Sequence, residues 1–406
     1  MSILHHLSFI TVLSLLRRDE ALFAHVREAL LILPVTAWFY YLAAAVCAHR
    51  FFSQEQPELG DFTPPVSILK PVRGVDREAY ENFASFCRLD YPEYEILFGV
   101  SDVSDPVVPI IQKLIRDFPE RSIRLFTGLQ RLGPNDKASI LAHLAREASY
   151  ELLVVSDSDV RMAPEALRAV AAPFRDPQVG AVTCLYRGVQ EDTWADSLEA
   201  LTLSTDFLAS VLVARQISGT RFALGATLAT TRRHLDEIGG YEALSEFLLD
   251  DYELGYRIAE QGYRVEMLSY VVPIVLPSQS LAGYWQRQLR WSVGVRNSRP
   301  WGHLGLLFTQ GLPLSLVAMA AAHSAQVAWL YLAAYLASRY FMAWTVGAWG
   351  LKDSVLRKRW WLVPARDAMA FCTWLASLCH NRVSWRGDAF QVRKGRLLPH
   401  EAASSR

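Results

Sequence analysis

Two carboxylates one residue apart, Asp157 and Asp159, follow the apolar run Leu152-Leu-Val-Val155. A run of that length and character reads as a buried strand. Alternate residues of a strand face one side, so at its end both carboxylates can turn toward one divalent cation, Mg2+ or Mn2+. Such a cation would sit against a diphosphate and neutralise charge on it as it departs. The ordinary alternative is a solvated turn, since Ser and Asp favour turns. A lone pair of this kind says little, and its weight comes from the charged groups that accompany it.

Asp102 follows Ile96-Leu-Phe-Gly-Val100, at another strand end, where it could accept a hydrogen bond from a nucleotide base. Its neighbours, Ser-Asp-Val-Ser-Asp-Pro, would also suit a plain turn. Lys137 opens a helix after Gly133-Pro-Asn-Asp. A cation at a helix start is electrostatically unfavourable, which hints at an anionic partner, although an exposed lysine would look the same. Asp250 and Asp251 are adjacent and flanked by apolar residues, so each can raise the other's pKa. A raised carboxylate suits a general base that deprotonates an alcohol. Asp is also common at a helix N-terminus, and one of the two can cap while the other catalyses. Arg287 and Arg290 lie three residues apart on one helix face, with Trp291 next to them. Two guanidinium groups there can grip a diphosphate, or the helix can touch anionic lipid beside a membrane.

The elements that would position these groups alternate. Short β-like runs begin at Val66, Glu95, Ile123, Leu152, Val179 and Val265, and helical stretches over residues 77–87, 107–118, 137–148 and 164–174 separate the first five. That pattern implies an α/β fold with a doubly wound, mostly parallel sheet, whose ligands bind at the carboxyl ends of the strands. Asp102 and Asp157 both fall there.

The chain has 406 residues, formal net charge zero and 51% hydrophobic residues. The charge balance gives no pull toward nucleic acid. The apolar excess sits at both ends, around a soluble middle. Residues 1–28 read as an amphipathic lead-in and residues 29–49 as a transmembrane helix of bilayer length. A Pro-containing linker covers residues 56–65. The globular domain spans residues 65–300. A transmembrane hairpin over residues 301–350 follows, built from apolar stretches at 304–322 and 327–349. Residues 351–381 form a basic loop and a third membrane or re-entrant helix, in which Arg366 and Asp367 interrupt the apolar pattern. The tail, residues 382–406, is basic and prefers the cytosolic face. The five cysteines form no CxxC pair, so neither a structural zinc site nor a disulfide framework is expected.

In order along the chain, Lys70-Pro-Val-Arg-Gly74, Asp102, Asp157-Ser-Asp159, Asp251 and Arg287-Gln-Leu-Arg290-Trp291 resemble the motifs of inverting GT-A glycosyltransferases. More narrowly they resemble the ceramide glucosyltransferase-like branch of glycosyltransferase family 2-like enzymes. The stretch Gly180-Ala-Val-Thr-Cys-Leu-Tyr-Arg-Gly188 looks like bacterial hopanoid-associated members. The resemblance runs from about Pro65 to Gly387. It implies transfer from a UDP-sugar to the hydroxyl of a lipid, with a hopanoid acceptor and UDP-N-acetylglucosamine favoured. Ceramide and UDP-glucose are the alternative, followed by a processive polysaccharide synthase and a non-catalytic scaffold.

By the same resemblance Asp251 is the base, and Arg290 and Trp291 close over the donor. Pro71, Asp102, Lys137, Asp157 and Arg287 contact the donor, with Asp102 on the uracil. Asp157 and Asp159 hold the metal. Gly225, Thr227 and Asp250 lie on the acceptor side. Position 287 is Arg where processive synthases usually carry Gln, which argues against a polymerase. The resemblance places the protein in a bacterial inner membrane with its catalytic domain cytosolic.

Overall fold

The computed structural model describes residues 3–54, 61–189, 191–385 and 388–399; the side chains of residues 3–22, 384, 385, 388 and 399 are outside that description. The linker read at residues 56–65 therefore falls outside it up to residue 60, as does the tail beyond residue 399.

Helix α1 is continuous over Ile3–Phe52, through Pro34. The alternating region then runs β1 (Val66–Pro71), α2 (Ala79–Cys87), β2 (Tyr94–Val100), α3 (Val108–Asp117), β3 (Ser122–Thr127), α4 (Asp136–Glu147), β4 (Leu152–Ser156), α5 (Ala166–Ala171) and β5 (Val179–Val189). After β5 come α6 (Trp194–Thr202), a π-helical turn (Leu203–Phe207) and α7 (Leu208–Ser218), which form one apolar rod. Next are β6 (Thr227–Thr231), α8 (Arg232–Glu237), α9 (Asp250–Glu260), β7 (Arg264–Val275) and α10 (Leu281–Ser298). The C-terminal part holds α11 (Pro300–Gly305), α12 (Gly311–Ala321), α13 (Ala325–Ala343), α14 (Ser354–Arg359), α15 (Val363–Cys379) and the strands β8 (Arg382–Trp385), β9 (Asp388–Arg393) and β10 (Arg396–Pro399).

The first seven strands form one sheet in the order β3-β2-β1-β4-β6-β5-β7. Strands β1, β2, β3 and β4 run parallel, as do β5 and β7, whereas β6 is antiparallel to both its neighbours. The expected α/β fold with a mostly parallel sheet is therefore present. Strand β6 was not anticipated, because Thr227-Leu-Ala-Thr-Thr231 is short and half polar. Strands β1, β2 and β4 are buried throughout, as strands covered on both faces must be. Val66, Ile68, Ile96, Phe98 and Val154 pack to one side with α2, α3 and α5. Leu69, Leu97, Leu153 and Val155 pack to the other with α4, α8 and α9.

Helix α9 lies so close to the loop between α7 and β6 that a Cβ on Gly255 would stand 2.2 Å from the backbone nitrogen of Ala223. Backbone cannot swing aside as a side chain can. Gly255→Ala is expected to cost about 3 kcal/mol of stability, read as a lower midpoint of thermal unfolding in detergent.

Among the described residues two helices are long and apolar enough to cross a membrane, Phe23–Phe52 and Trp194–Ser218, and the second is mostly buried within the protein. The pair Pro300–Thr309 and Gly311–Ala321 qualifies only when taken as one span broken by a 51° bend. The second arm of the expected hairpin overlaps α13, inside which Arg339 is fully buried and paired with Asp367 of α15 at 2.8 Å. Arg366 and Asp367 do not interrupt a span from outside. They face inward, where Arg366 meets Asp206 of the π-helical turn and Asp367 accepts from Tyr335 at 2.8 Å. Buried charges persist only when paired in this way. Within the segment read as a basic tail, residues 382–385, 388–393 and 396–399 pair as a three-stranded antiparallel sheet.

Candidate active site

The carboxyl ends of β1 and β4, the loop before α4, the start of α9 and one face of α10 surround a cavity of about 640 Å³. Of the residues singled out in the sequence, Pro71, Lys137, Asp157, Asp159, Gly225, Asp250, Asp251, Arg287, Arg290 and Trp291 line it. Asp102 and Thr227 are not among its lining. Asp102 is exposed, and its Oδ1 accepts from Ser104 N at 2.8 Å and Ser104 Oγ at 2.7 Å. Thr227 is buried, with its hydroxyl donating to Ala226 O at 2.8 Å. Asp102 thus adopts the turn its neighbours suit, and Thr227 begins β6.

Lys137 Nζ lies 2.6 Å from Asp157 Oδ1. Burial works against its ammonium, but Asp157, Asp250 and Asp251 outweigh it and hold the group charged well beyond its ordinary range. A lysine at a helix start is tolerable here because Asn135 caps that helix, accepting from Ala138 N at 3.0 Å, and three carboxylates face it.

Burial pushes the Asp159 carboxyl up to about 7, with Asp157 and Asp76 adding to the rise. Asp76 joins the group through Ser158, whose hydroxyl donates to its Oδ2. Mutually repelling carboxylates in a polar cavity suit a cation. Among the described residues no cluster of three or more His, Cys, Asp or Glu forms a metal cage. The donor set therefore fits a cation whose remaining ligands are phosphate oxygens, as Mg2+ sites commonly have.

Around the same lysine, burial and the neighbouring Asp250 raise Asp251 to about 7, while Lys137 pulls it down. Asp250 is itself fixed by Asn135 Nδ2, which donates to its Oδ1 at 3.1 Å and to Phe247 O at 2.8 Å. Both carboxylates line the cavity, and Asp250 is the one tied by Asn135. A Cβ on Gly225 would stand 2.7 Å from Asp251 Oδ2. Gly225→Ala must displace that carboxylate, and a fall of about tenfold in kcat with unchanged UDP affinity is the expected result.

Three cavity or near-cavity groups were not anticipated. Lys70 is fully buried, sits 3.6 Å over the Phe86 ring and donates to Asp157 O at 2.9 Å. Burial brings its ammonium down to about 7, opposed by Asp157, Asp159 and Asp76. Asp76 is the second. The third is Glu199 of α6, which holds Arg287 Nη1 at 3.0 Å and accepts from Gln279. A carboxylate within an apolar stretch was the available signal for Glu199. Lys70 was carried only by the motif Lys70-Pro-Val-Arg-Gly74 and given no role, and Asp76 had no signal beyond following a strand end.

The cavity also has an apolar wall, formed by Phe207 and Val211 of the Trp194–Ser218 rod together with Phe222 and Leu224. Asp251 lies against Gly225, next in the chain to Leu224 of this wall, and Lys137 is close to the same point.

A mostly parallel sheet with an aspartate pair at its carboxyl edge defines a GT-A-like glycosyltransferase fold. A mannosyltransferase from Pyrobaculum calidifontis, solved with GDP-Man and Mn2+, shares it over 86% of this chain and 99% of its own, at a TM-score of 0.51 and 21% identity. The chain belongs to glycosyl transferase family 21, which it matches over residues 29–398. It is 27% identical to ceramide glucosyltransferase 3 of Caenorhabditis elegans over 229 residues, covering 56% of this chain and 50% of that one. It is 24% identical to ceramide glucosyltransferase 1 of the same organism over 279 residues, covering 68% and 57%. The chain thus spans about half the length of the relatives it matches.

Proposed function

We propose that the protein is a membrane-bound inverting glycosyltransferase that moves glucose from UDP-glucose to the hydroxyl of ceramide. The observation that carries this is one cavity lined both by a cluster of carboxylates and guanidinium groups, Asp251 among them, and by the apolar side chains of Phe207, Val211, Phe222 and Leu224. A donor diphosphate suits the first end and a lipid chain the second. Kinship with two ceramide glucosyltransferases favours ceramide and UDP-glucose over a hopanoid and UDP-N-acetylglucosamine, the acceptor and donor preferred from sequence.

In this mechanism Asp251 takes the proton of the acceptor hydroxyl. The oxygen attacks the anomeric carbon as the bond to the diphosphate breaks, so an α-linked donor gives a β-linked product without a covalent enzyme intermediate. Arg287, oriented by Glu199, and Arg290 stabilise the departing charge, and Trp291 closes the site beside the sugar. A divalent cation held by Asp157 and Asp159 would supply further neutralisation of the diphosphate. Apolar helices α1, α6 and α7 keep the cavity at a bilayer, the source of the acceptor.

The test is to incubate membranes bearing the protein with labelled UDP-glucose or UDP-N-acetylglucosamine, with ceramide or a hopanoid alcohol, and to extract the lipid. Label from UDP-glucose in one ceramide-dependent product is expected. Label confined to a hopanoid, to polymer or to no product would reject the assignment.

A further inference from the structure

The C-terminal sheet is joined to the segment that leads into the base. Strand β10 pairs antiparallel with residues 246–248: Leu248 N donates to Gly395 O at 3.0 Å, and Leu397 N donates to Glu246 O at 2.7 Å. Arg396 adds a contact with the Glu246 carboxylate at 2.8 Å and lies over the Phe247 ring. Beneath these bonds Val383, Phe390, Val392 and Leu397 form a core with Leu248, Leu249, Leu289 and Val293. The last two belong to α10, the helix that carries Arg287, Arg290 and Trp291. Helix α10 is tied to the same region by Arg296, which donates to His380 O at 2.9 Å.

The segment before Asp250 is thus held from two sides. Asn135 grips the Phe247 carbonyl and the Asp250 carboxylate, and β10 grips the backbone of residues 246 and 248. Among the described side chains of the C-terminal sheet, Phe390 is the one lining the cavity, and it shares a core with Leu248 and Leu249, just before Asp250 and Asp251. An aromatic ring that lines the cavity of a base has a defined use. A base that can deprotonate an alcohol can also deprotonate water, and a wall that keeps water out prevents that loss.

We propose that the C-terminal sheet is a strap that holds the Asp251 loop against α10, and that Phe390 excludes water from the acceptor side of the cavity. Phe390 and Leu397 are positioning residues: they act on where Asp251 meets its proton donor. The proposal rests on the transferase reading above. The side reaction it suppresses is balanced. Asp251 takes a proton from water, the water oxygen bonds to the anomeric carbon, the bond to the diphosphate breaks, and free sugar and UDP leave.

The experiment uses the full-length protein in nanodiscs with UDP-glucose and ceramide, measuring free sugar and lipid-linked sugar together. Phe390→Ala is expected to raise the ratio of hydrolysis to transfer by about tenfold, with donor KM within about twofold of wild type. Leu397→Asp should speed hydrogen exchange at the amides of residues 246–252 and lower kcat. Because Leu397→Asp puts a charge in a small core, the milder pair Glu246→Arg and Arg396→Glu is the second arm. Each single variant places like charges together and should loosen the segment, and the double variant should restore exchange and kcat. Unchanged partitioning in Phe390→Ala, unchanged exchange in Leu397→Asp, or a charge swap without rescue would each overturn the strap. If the wild type transfers sugar to no lipid, the functional reading fails instead, and the exchange measurements, which need no turnover, decide the strap.

Discussion

Asp251→Asn is expected to lose glycosyl transfer by about 10³-fold while binding UDP as the wild type does. The amide keeps the shape and the tight approach to Gly225, where a Cβ would meet Oδ2 at 2.7 Å, but it cannot accept a proton. UDP affinity survives because the groups assigned to the diphosphate, Lys137, Arg287 and Arg290, are untouched. The pH dependence adds a second arm. Burial and Asp250 raise Asp251 to about 7, with Lys137 opposing. A base works only when ionised, so kcat should fall as pH drops through about 7, about tenfold for each further unit, and level off above it. Asp250→Asn removes a charge that raises Asp251, so it should move this limb to lower pH. Turnover by Asp251→Asn within tenfold of wild type would refute the base assignment.

Legibility in the sequence divided along the type of signal. The strands β1, β2 and β4 were readable because continuous apolar runs bounded by turn residues leave few other structures. Carboxylates at the ends of such strands inherit their location from the fold, which is why Asp157 and Asp159 could be placed before any geometry was known. Asp250 and Asp251 were readable as a pair, and their division of labour depends on Asn135, a helix cap 115 positions away. Asp102 carried the same strand-end signal as Asp157, yet it closes a turn on Ser104. Local turn chemistry and site geometry share residue types, and only tertiary contacts separate them. At the C-terminal arm, apolar length suggested a span at residues 327–349, and the pattern does not show that Arg339 and Asp367 pair with each other in the protein interior. The sheet at residues 382–399 hid behind basic residues, since alternating Arg393 and Arg396 with Val392 and Leu397 looks like a charged tail unless period two is weighed.

The second large effect is expected at the aspartate pair. Asp157→Ala should abolish the gain in UDP affinity that Mn2+ gives the wild type and reduce kcat by about 10²-fold. The argument turns on the sign of the local charge. Asp157 is paired with Lys137 at 2.6 Å, and burial, with Asp157 and Asp76 beside it, raises Asp159. A diphosphate entering without a cation would therefore meet repelling carboxylates, offset by Lys137. Removing the Asp157 side chain deletes one negative charge and frees the Lys137 ammonium. In chelator, the variant should accordingly bind UDP at least as tightly as wild type, and the two should diverge only when Mn2+ is added. Asp159→Asn should share the loss of metal response. It should not share the gain in chelator, because the Lys137–Asp157 pair stays intact. Calorimetric titration with UDP, with and without Mn2+, separates these outcomes. An Asp157→Ala variant whose UDP affinity still rises with Mn2+ as in the wild type would remove the pair from the donor site.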